Sequence, residues 1–300
     1  MNRICRFGMM AFAVIIICVV GNLPAQQPKV PDDVELLRNV EFGKGGKQVL
    51  KMHILRPKNL PKEPMPVLVF INGSAWTKDN KDLGIPRLIL AAQHGYFCAT
   101  IQHRTSGEAV FPAQIEDCKC AVRFLRAKAK DYHLDTNRIG MWGGSSGGHL
   151  SALVATSANA KDLEGTGGWQ EFSSRVHAAC VYFPAVDLRS ADFPARHNTG
   201  PNGVAFRLLG GDPRKDKAEL AKKASPLTYI TKGSPPFFIM HGDKDMTVPL
   251  EQSKLLYEAL KKAGVEVTFE TVKGKGHEEI DPRNEYAMKF FDKHFKSSGK

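Results

Sequence analysis

Two hydrophobic rhythms alternate along the chain. Residues 67–71, 97–101, 138–142, 176–183, 236–240 and 265–272 are short apolar runs of strand length, bounded by glycine, proline or polar positions. Between them, apolar positions recur every three or four residues. Over 112–130, Ile115, Cys118, Val122, Leu125 and Ala129 fall on one helical face. Comparable helices are predicted over 85–93, 146–155, 250–263 and 283–295. Two earlier strand-like runs, 36–42 and 49–55, flank the turn Gly43-Lys44-Gly45-Gly46 and predict a hairpin ahead of the alternation. Apolar strands alternating with amphipathic helices imply an α/β fold, a mostly parallel central sheet with helices on both faces. In such sheets the chemistry gathers beyond the carboxyl ends of the strands. Residues 188–224, rich in proline and glycine, break the rhythm and read as a small inserted cap.

The N-terminus changes the picture of where this fold works. Arg3 and Arg6 precede an apolar run over 9–20, and Leu23-Pro24-Ala25 offers a cleavage point. That order predicts a signal peptide over 1–25 and a secreted or periplasmic chain of one domain over 26–300. The run is short against the roughly 20 residues of a membrane span, so no stable membrane insertion is expected after cleavage. A hydrophobic fraction of 42% suits a globular core. The formal charge is +11, but the lysines are scattered and form no block. They read as a solvated face and do not point to nucleic acid. Cys98, Cys118, Cys120 and Cys180 read as buried thiols. No metal-ligand spacing or cofactor fingerprint stands out, so the expected chemistry needs neither.

The densest chemical signal is Gly143-Gly144-Ser145-Ser146-Gly147-Gly148, placed between a strand and a helix. Framed as Gly144-Ser145-Ser146-Gly147-Gly148, it is G-x-S-x-G centred on Ser146, with Ser145 as the competing serine. This pattern suits a sharp strand-to-helix turn that exposes a nucleophilic hydroxyl. A serine needs a base, and the base needs a carboxylate to orient it. Asp243 and Asp245 follow the strand at 236–240; Asp243 suits fixing the turn and Asp245 suits reaching a histidine. His277 follows the next strand in a glycine loop, whereas His241 suits shaping its own turn. The order Ser146, Asp245, His277 completes a triad. The loop Asn72-Gly73-Ser74-Ala75-Trp76 ends an early central strand, and its Ser74 and Ala75 N–H groups, with that of Gly147, are the expected oxyanion donors. Trp76, Phe193 and Phe206 are expected to contact substrate.

These residues, with Phe111 to Asp117, Asn137-Arg138-Ile139-Gly140, Ser225-Pro226-Leu227 and 241–249, resemble the acetyl-xylan/feruloyl esterase-like branch of the α/β-hydrolases, near the hormone-sensitive-lipase-type esterases. The resemblance implies that fold, a catalytic trio at Ser146, Asp245 and His277, and a small ester or acylated carbohydrate as substrate. A prolyl-oligopeptidase-type peptidase and a non-catalytic binding protein are the alternatives. Two departures stand out. Asn72 and Ser74 replace a histidine and a glycine of the family loop, and Gln102-His103 replaces Asn-Tyr before Arg104. Ser74 is expected to narrow the acyl side of the pocket, and Arg104 to pair with Glu116 or Asp117 as support.

Overall fold

The computed structural model describes residues 29–193, 200–278, 280–282 and 284–296. The expected signal peptide lies outside the described residues. Eight strands form one sheet in the order β1-β2-β4-β3-β5-β6-β7-β8. β1 (Val34–Gly45) and β2 (Gln48–Pro57) are the hairpin, closed so tightly that Gly45 pairs with Gln48. β2 joins β4 (Phe97–Ile101) antiparallel. From β4 onward every pairing is parallel, through β3 (Met65–Ile71), β5 (Leu134–Gly144), β6 (Ala178–Tyr182), β7 (Phe237–Gly242) and β8 (Val267–Val272). All residues of β3, β4 and β6 are buried, as a sheet covered on both faces requires.

Two apolar layers sandwich that sheet. On one face lie α2 (Ala113–Ala127), α4 (Ser146–Thr156) and α7 (Leu250–Lys262), whose Ile115, Val122, Leu153 and Leu256 share a core. On the other lie α1 (Ile85–Gln93) and α8 (Glu285–Phe295), contributing Leu88, Met288 and Phe291. The helix predicted over 112–130 stops at Ala127, and a single further turn, α3 (Ala129–Tyr132), completes it. α4 is buried on every side, so its mostly small and apolar sequence, His149 apart, lacks a polar stripe. Between β6 and β7 the chain carries α5 (Val204–Leu209) and α6 (Ala218–Ala224) within the segment expected to be a cap. Cys98, Cys118, Cys120 and Cys180 are buried free thiols. Among the described residues no helix is long and apolar enough to cross a membrane.

Candidate functional site

β5 ends against β6 with Gly144 paired to Tyr182, and the Ser145 N–H still donates to the Tyr182 carbonyl, at 2.9 Å. The chain then turns sharply. Ser145 adopts φ 56°, ψ −125°, and α4 begins at the next residue. A non-glycine residue held there is strained, and such strain clusters at working sites. The Ser145 Oγ lies 2.9 Å from His277 Nε2. The expectation that Ser146 faces the histidine is therefore corrected. The Ser146 hydroxyl is buried and accepts the Ser74 N–H at 2.9 Å. The glycine run contains a second G-x-S-x-G frame, Gly143-Gly144-Ser145-Ser146-Gly147, and that frame is the one folded into the turn. Gly147 is indispensable to it, because a Cβ there would lie 2.0 Å from the Ile71 carbonyl oxygen.

His277, in the loop after β8, meets Asp245 Oδ2 at 2.7 Å through Nδ1. A carboxylate only accepts, so Nδ1 carries the proton and Nε2 is left to accept from the Ser145 hydroxyl. Asp245 Oδ1 accepts the Thr247 and Val248 N–H groups at 2.8 and 2.9 Å. Burial alone pushes this carboxyl's pKa up. Hydrogen bonds from His241 and His277, the His277 charge and the Val248 amide outweigh burial and hold it well below the usual carboxylate range. Asp245 is thus a fixed negative charge behind the imidazole. Asp243 takes the other part, accepting the Gly274 N–H at 2.6 Å and tying the two loops together. His241 reaches the Val248 carbonyl within its own turn, at 2.9 Å, and the Ser253 Oγ of α7, at 2.7 Å.

The loop after β3 lies beside this trio. Gly73 packs so closely that a Cβ would lie 2.9 Å from the Ser145 Cβ, and Ala75 and Trp76 both take positive φ. The Ser74 hydroxyl bonds the Lys78 carbonyl at 2.8 Å, within its own loop. Its expected narrowing of the acyl side is therefore corrected: the side chain is spent on the loop. Two cavities meet at Ser145. An open one of about 450 Å³ is lined by Asn72, Ser74, Arg87, Phe183, His277 and Glu278 among others. A smaller one of about 170 Å³ is walled by Trp76, Ser146, Leu188, Phe193, Val204 and Val248. A serine, a base and a carboxylate in one hydrogen-bonded line, at a helix N-terminus, can activate the hydroxyl and stabilise nearby negative charge.

The family model BD-FAE matches residues 52–260. The chain belongs to the BD-FAE family. Esterase LipQ of Mycobacterium tuberculosis is 34% identical over 229 residues, which is 75% of this chain and 53% of LipQ. The chain spans about half the length of the curated relatives it matches. Among solved structures, a bifunctional GH43-CE protein of Bacteroides eggerthii superposes with a TM-score of 0.76 at 33% identity, covering 87% of this chain and 38% of that one. A propionate-bound thermophilic esterase, Est2, of the planctomycete Thermogutta terrifontis superposes with a TM-score of 0.72 at 26% identity, over 90% of this chain and 97% of Est2. The fold is that of the α/β-hydrolases.

Against this BD-FAE frame the remaining expectations divide. Trp76 and Phe193 wall the smaller cavity, not the open one where His277 stands, while half-buried Phe206 lines neither. Arg104 pairs with Asp117, down to 2.8 Å, and with Glu116 at 3.1 Å. One residue of the BD-FAE site escaped the sequence reading. His149, fully buried one turn into α4, accepts the Trp76 indole N–H at 3.2 Å on Nδ1 and donates from Nε2 to the Ala224 carbonyl at 2.8 Å. Burial pushes its pKa down to about 4, despite the bond to Ala224, so it stays neutral and clamps the tryptophan in place. The available signal was a lone histidine in an otherwise small and apolar helix, since such a group needs partners when buried.

Proposed function

We propose that this chain is a serine carboxylesterase that removes short acyl groups, acetyl foremost, from a polar alcohol such as a carbohydrate. The single observation that carries the reading is the Ser145–His277–Asp245 line at the junction of two unlike cavities. Ser145 Oγ attacks the ester carbonyl while His277 Nε2 takes its proton. The oxyanion is met by the N–H that follows the nucleophile, now that of Ser146 and not Gly147, together with the Ala75 N–H, while the Ser74 N–H is engaged by the Ser146 hydroxyl. His277 then returns the proton to the leaving alcohol, and water repeats the sequence on the acyl-enzyme.

The base must reach the leaving oxygen, so the alcohol belongs on the His277 side, in the open cavity, where Asn72, Arg87 and Glu278 supply polar groups. The acyl group then enters the smaller apolar cavity. Its 170 Å³ is well below the ~300 Å³ at which drug-sized ligand pockets begin. One extra methylene in a tight pocket is worth about 1–3 kcal/mol, so kcat/KM falls steeply with acyl length. Relatives named as esterases and a neighbour named as a carbohydrate esterase from gut microbiota support the reading. The N-terminal sequence supports export. The test is hydrolysis of acetyl, butyryl, octanoyl and feruloyl esters by the native chain and by Ser145→Ala. The expected result is a decline from acetyl onward and loss of all four activities in the variant. A feruloyl optimum would overturn the acyl assignment, and an active Ser145→Ala the catalytic one.

A further inference from the structure

A second polar cavity, of about 210 Å³, opens near the carbonyl end of α4, at the opposite end of that helix from Ser145. Arg123, Glu164, Gln170, Ser173 and Ser174 line it. Behind them sits a buried charge cluster. Lys119 is 0% exposed and Arg123 1%, and they share one carboxylate, Glu164. Glu164 is engaged on both oxygens: Oε1 accepts from Lys119 Nζ and Ser174 Oγ, at 2.7 and 2.6 Å, and Oε2 accepts from Arg123 Nη1 at 2.6 Å. Lys119 gives a further bond to the Ser157 carbonyl, and Arg123 gives others to the carbonyls of Glu164 and Gly168. Arg123 Nη2 is buried and has no hydrogen-bond partner among the described residues.

The surroundings do not balance that charge. Arg126 spends its guanidinium on the carbonyls of Thr136, Ser173 and Arg175, and no described carboxylate lies within ion-pair distance of it or of Arg175. Asp162 is paired to Lys223 and Asp135 to Arg138, while Glu171 lies exposed on the neighbouring turn. Two buried cations therefore share one carboxylate, and a buried guanidinium N–H without an acceptor is costly to leave unmade.

We propose that this cavity binds a tetrahedral oxyanion, phosphate or sulfate, through the Arg123 guanidinium, the Gln170 amide and the Ser173 hydroxyl. The Ser173 oxygen already accepts the Arg175 N–H at 3.1 Å, which leaves its proton free to donate. Guanidinium bonds to such anions are charge-assisted and strong. The volume exceeds what a monatomic ion would fill, and the site is separate from the reacting serine. Anion binding therefore stabilises the fold without entering the reaction.

The test is thermal unfolding of the full chain in phosphate, sulfate and chloride at matched ionic strength, with calorimetric titration of phosphate. Binding only the folded state raises Tm with concentration according to occupancy. The expected result is a saturable rise in phosphate and sulfate that chloride does not give, with one phosphate per chain. Gln170→Glu places a carboxylate of the protein's own beside Arg123. It should raise Tm without added anion and weaken phosphate binding by at least about tenfold, while ester hydrolysis stays unchanged. Arg123→Lys should abolish the phosphate response if it folds. Equal shifts in chloride and phosphate, or an unchanged response in Gln170→Glu, would show that only water fills the cavity and would overturn the proposal.

Discussion

Asp245→Asn probes the proposed reaction at the point where its geometry is most constrained. The Asp245 Oδ1 accepts two backbone N–H groups, from Thr247 and Val248, while Oδ2 faces His277 Nδ1 at 2.7 Å. An asparagine keeps those two amides satisfied only by placing its carbonyl at Oδ1, which turns its NH2 toward His277. The imidazole must then accept at Nδ1 and carry its proton on Nε2. That proton points at Ser145 Oγ, 2.9 Å away, and the ring is no longer a base. The opposite amide orientation restores the working tautomer but sets an NH2 against two N–H donors. Leaving two buried donors unmade costs roughly 2–4 kcal/mol, so only about one molecule in 30 to one in 1000 is competent.

Loss of the negative charge behind the imidazolium adds to that penalty. The combined fall in kcat should reach about 10³–10⁴. The assay is kcat on a nitrophenyl acetate beside thermal melting of the same preparation. Melting should fall but remain cooperative, since the asparagine is isosteric and retains both amide bonds while losing the negative charge that His241 and His277 stabilise. Asp243→Asn is the control. Its carbonyl still accepts the Gly274 N–H, so activity should stay within a few-fold of the native chain. A loss below about tenfold in Asp245→Asn, with cooperative melting, would mean that Asp245 does not orient His277 and that the proposed relay is misread.

Other substitutions separate the neighbouring roles. Ser146→Ala removes the acceptor of the Ser74 N–H; one net hydrogen bond is worth about 1 kcal/mol, so kcat/KM on the acetyl ester should change by less than about tenfold. Gly147→Ala drives a Cβ to 2.0 Å from the Ile71 carbonyl oxygen and should fail to fold or melt far lower, as circular dichroism would report. His149 has a pKa lowered from 6.5 to about 4, so it contributes stability that is fully present above pH 6.5 and is lost as pH falls toward 4, by up to about 3 kcal/mol. His149→Gln can keep both bonds without titrating, so urea unfolding across that window should lose most of its pH slope; an unaltered slope would place the effect elsewhere.

The central strands were legible because they are buried on both faces and read as unbroken apolar runs, whereas the edge strand β8 is half exposed and alternates apolar with polar residues. Asp245 and His277 were legible because each follows a strand in chain order. The serine was not, for a definite reason. Four glycines around two serines satisfy two motif frames, and the choice depends on where β5 stops pairing. Gly144 still pairs with Tyr182 and the Ser145 N–H makes the last bond, which puts the turn at Ser145. That register comes from β6, some 35 residues away in sequence, and no local pattern carries it. Lys119 and Arg123 escaped for a related reason. They are four apart on α2 and resemble a solvated stripe, but a distant loop brings Glu164 over them and buries both.

Strand order also explains why the two cavities differ. β5 lies between β3 and β6, so the loops leaving those two neighbours flank Ser145. The β3 loop, Asn72 to Ala75, borders the open cavity and is held rigidly by Gly73 against the turn. The β6 connection supplies Ala185, Leu188, Phe193, Val204 and Ala205 to the enclosed one. Substitutions in the β6 connection can therefore resize the acyl cavity without moving the serine, the histidine or the β3 loop. Val204 is the direct probe, because it is half-buried and lines the enclosed cavity alone. Val204→Ala should relax the acyl limit, raising kcat/KM for butyryl over acetyl esters while Tm falls only slightly. Val204→Phe should restrict hydrolysis to acetyl. If both variants shift alcohol preference and leave the acyl profile unchanged, the two cavities have been assigned the wrong way round.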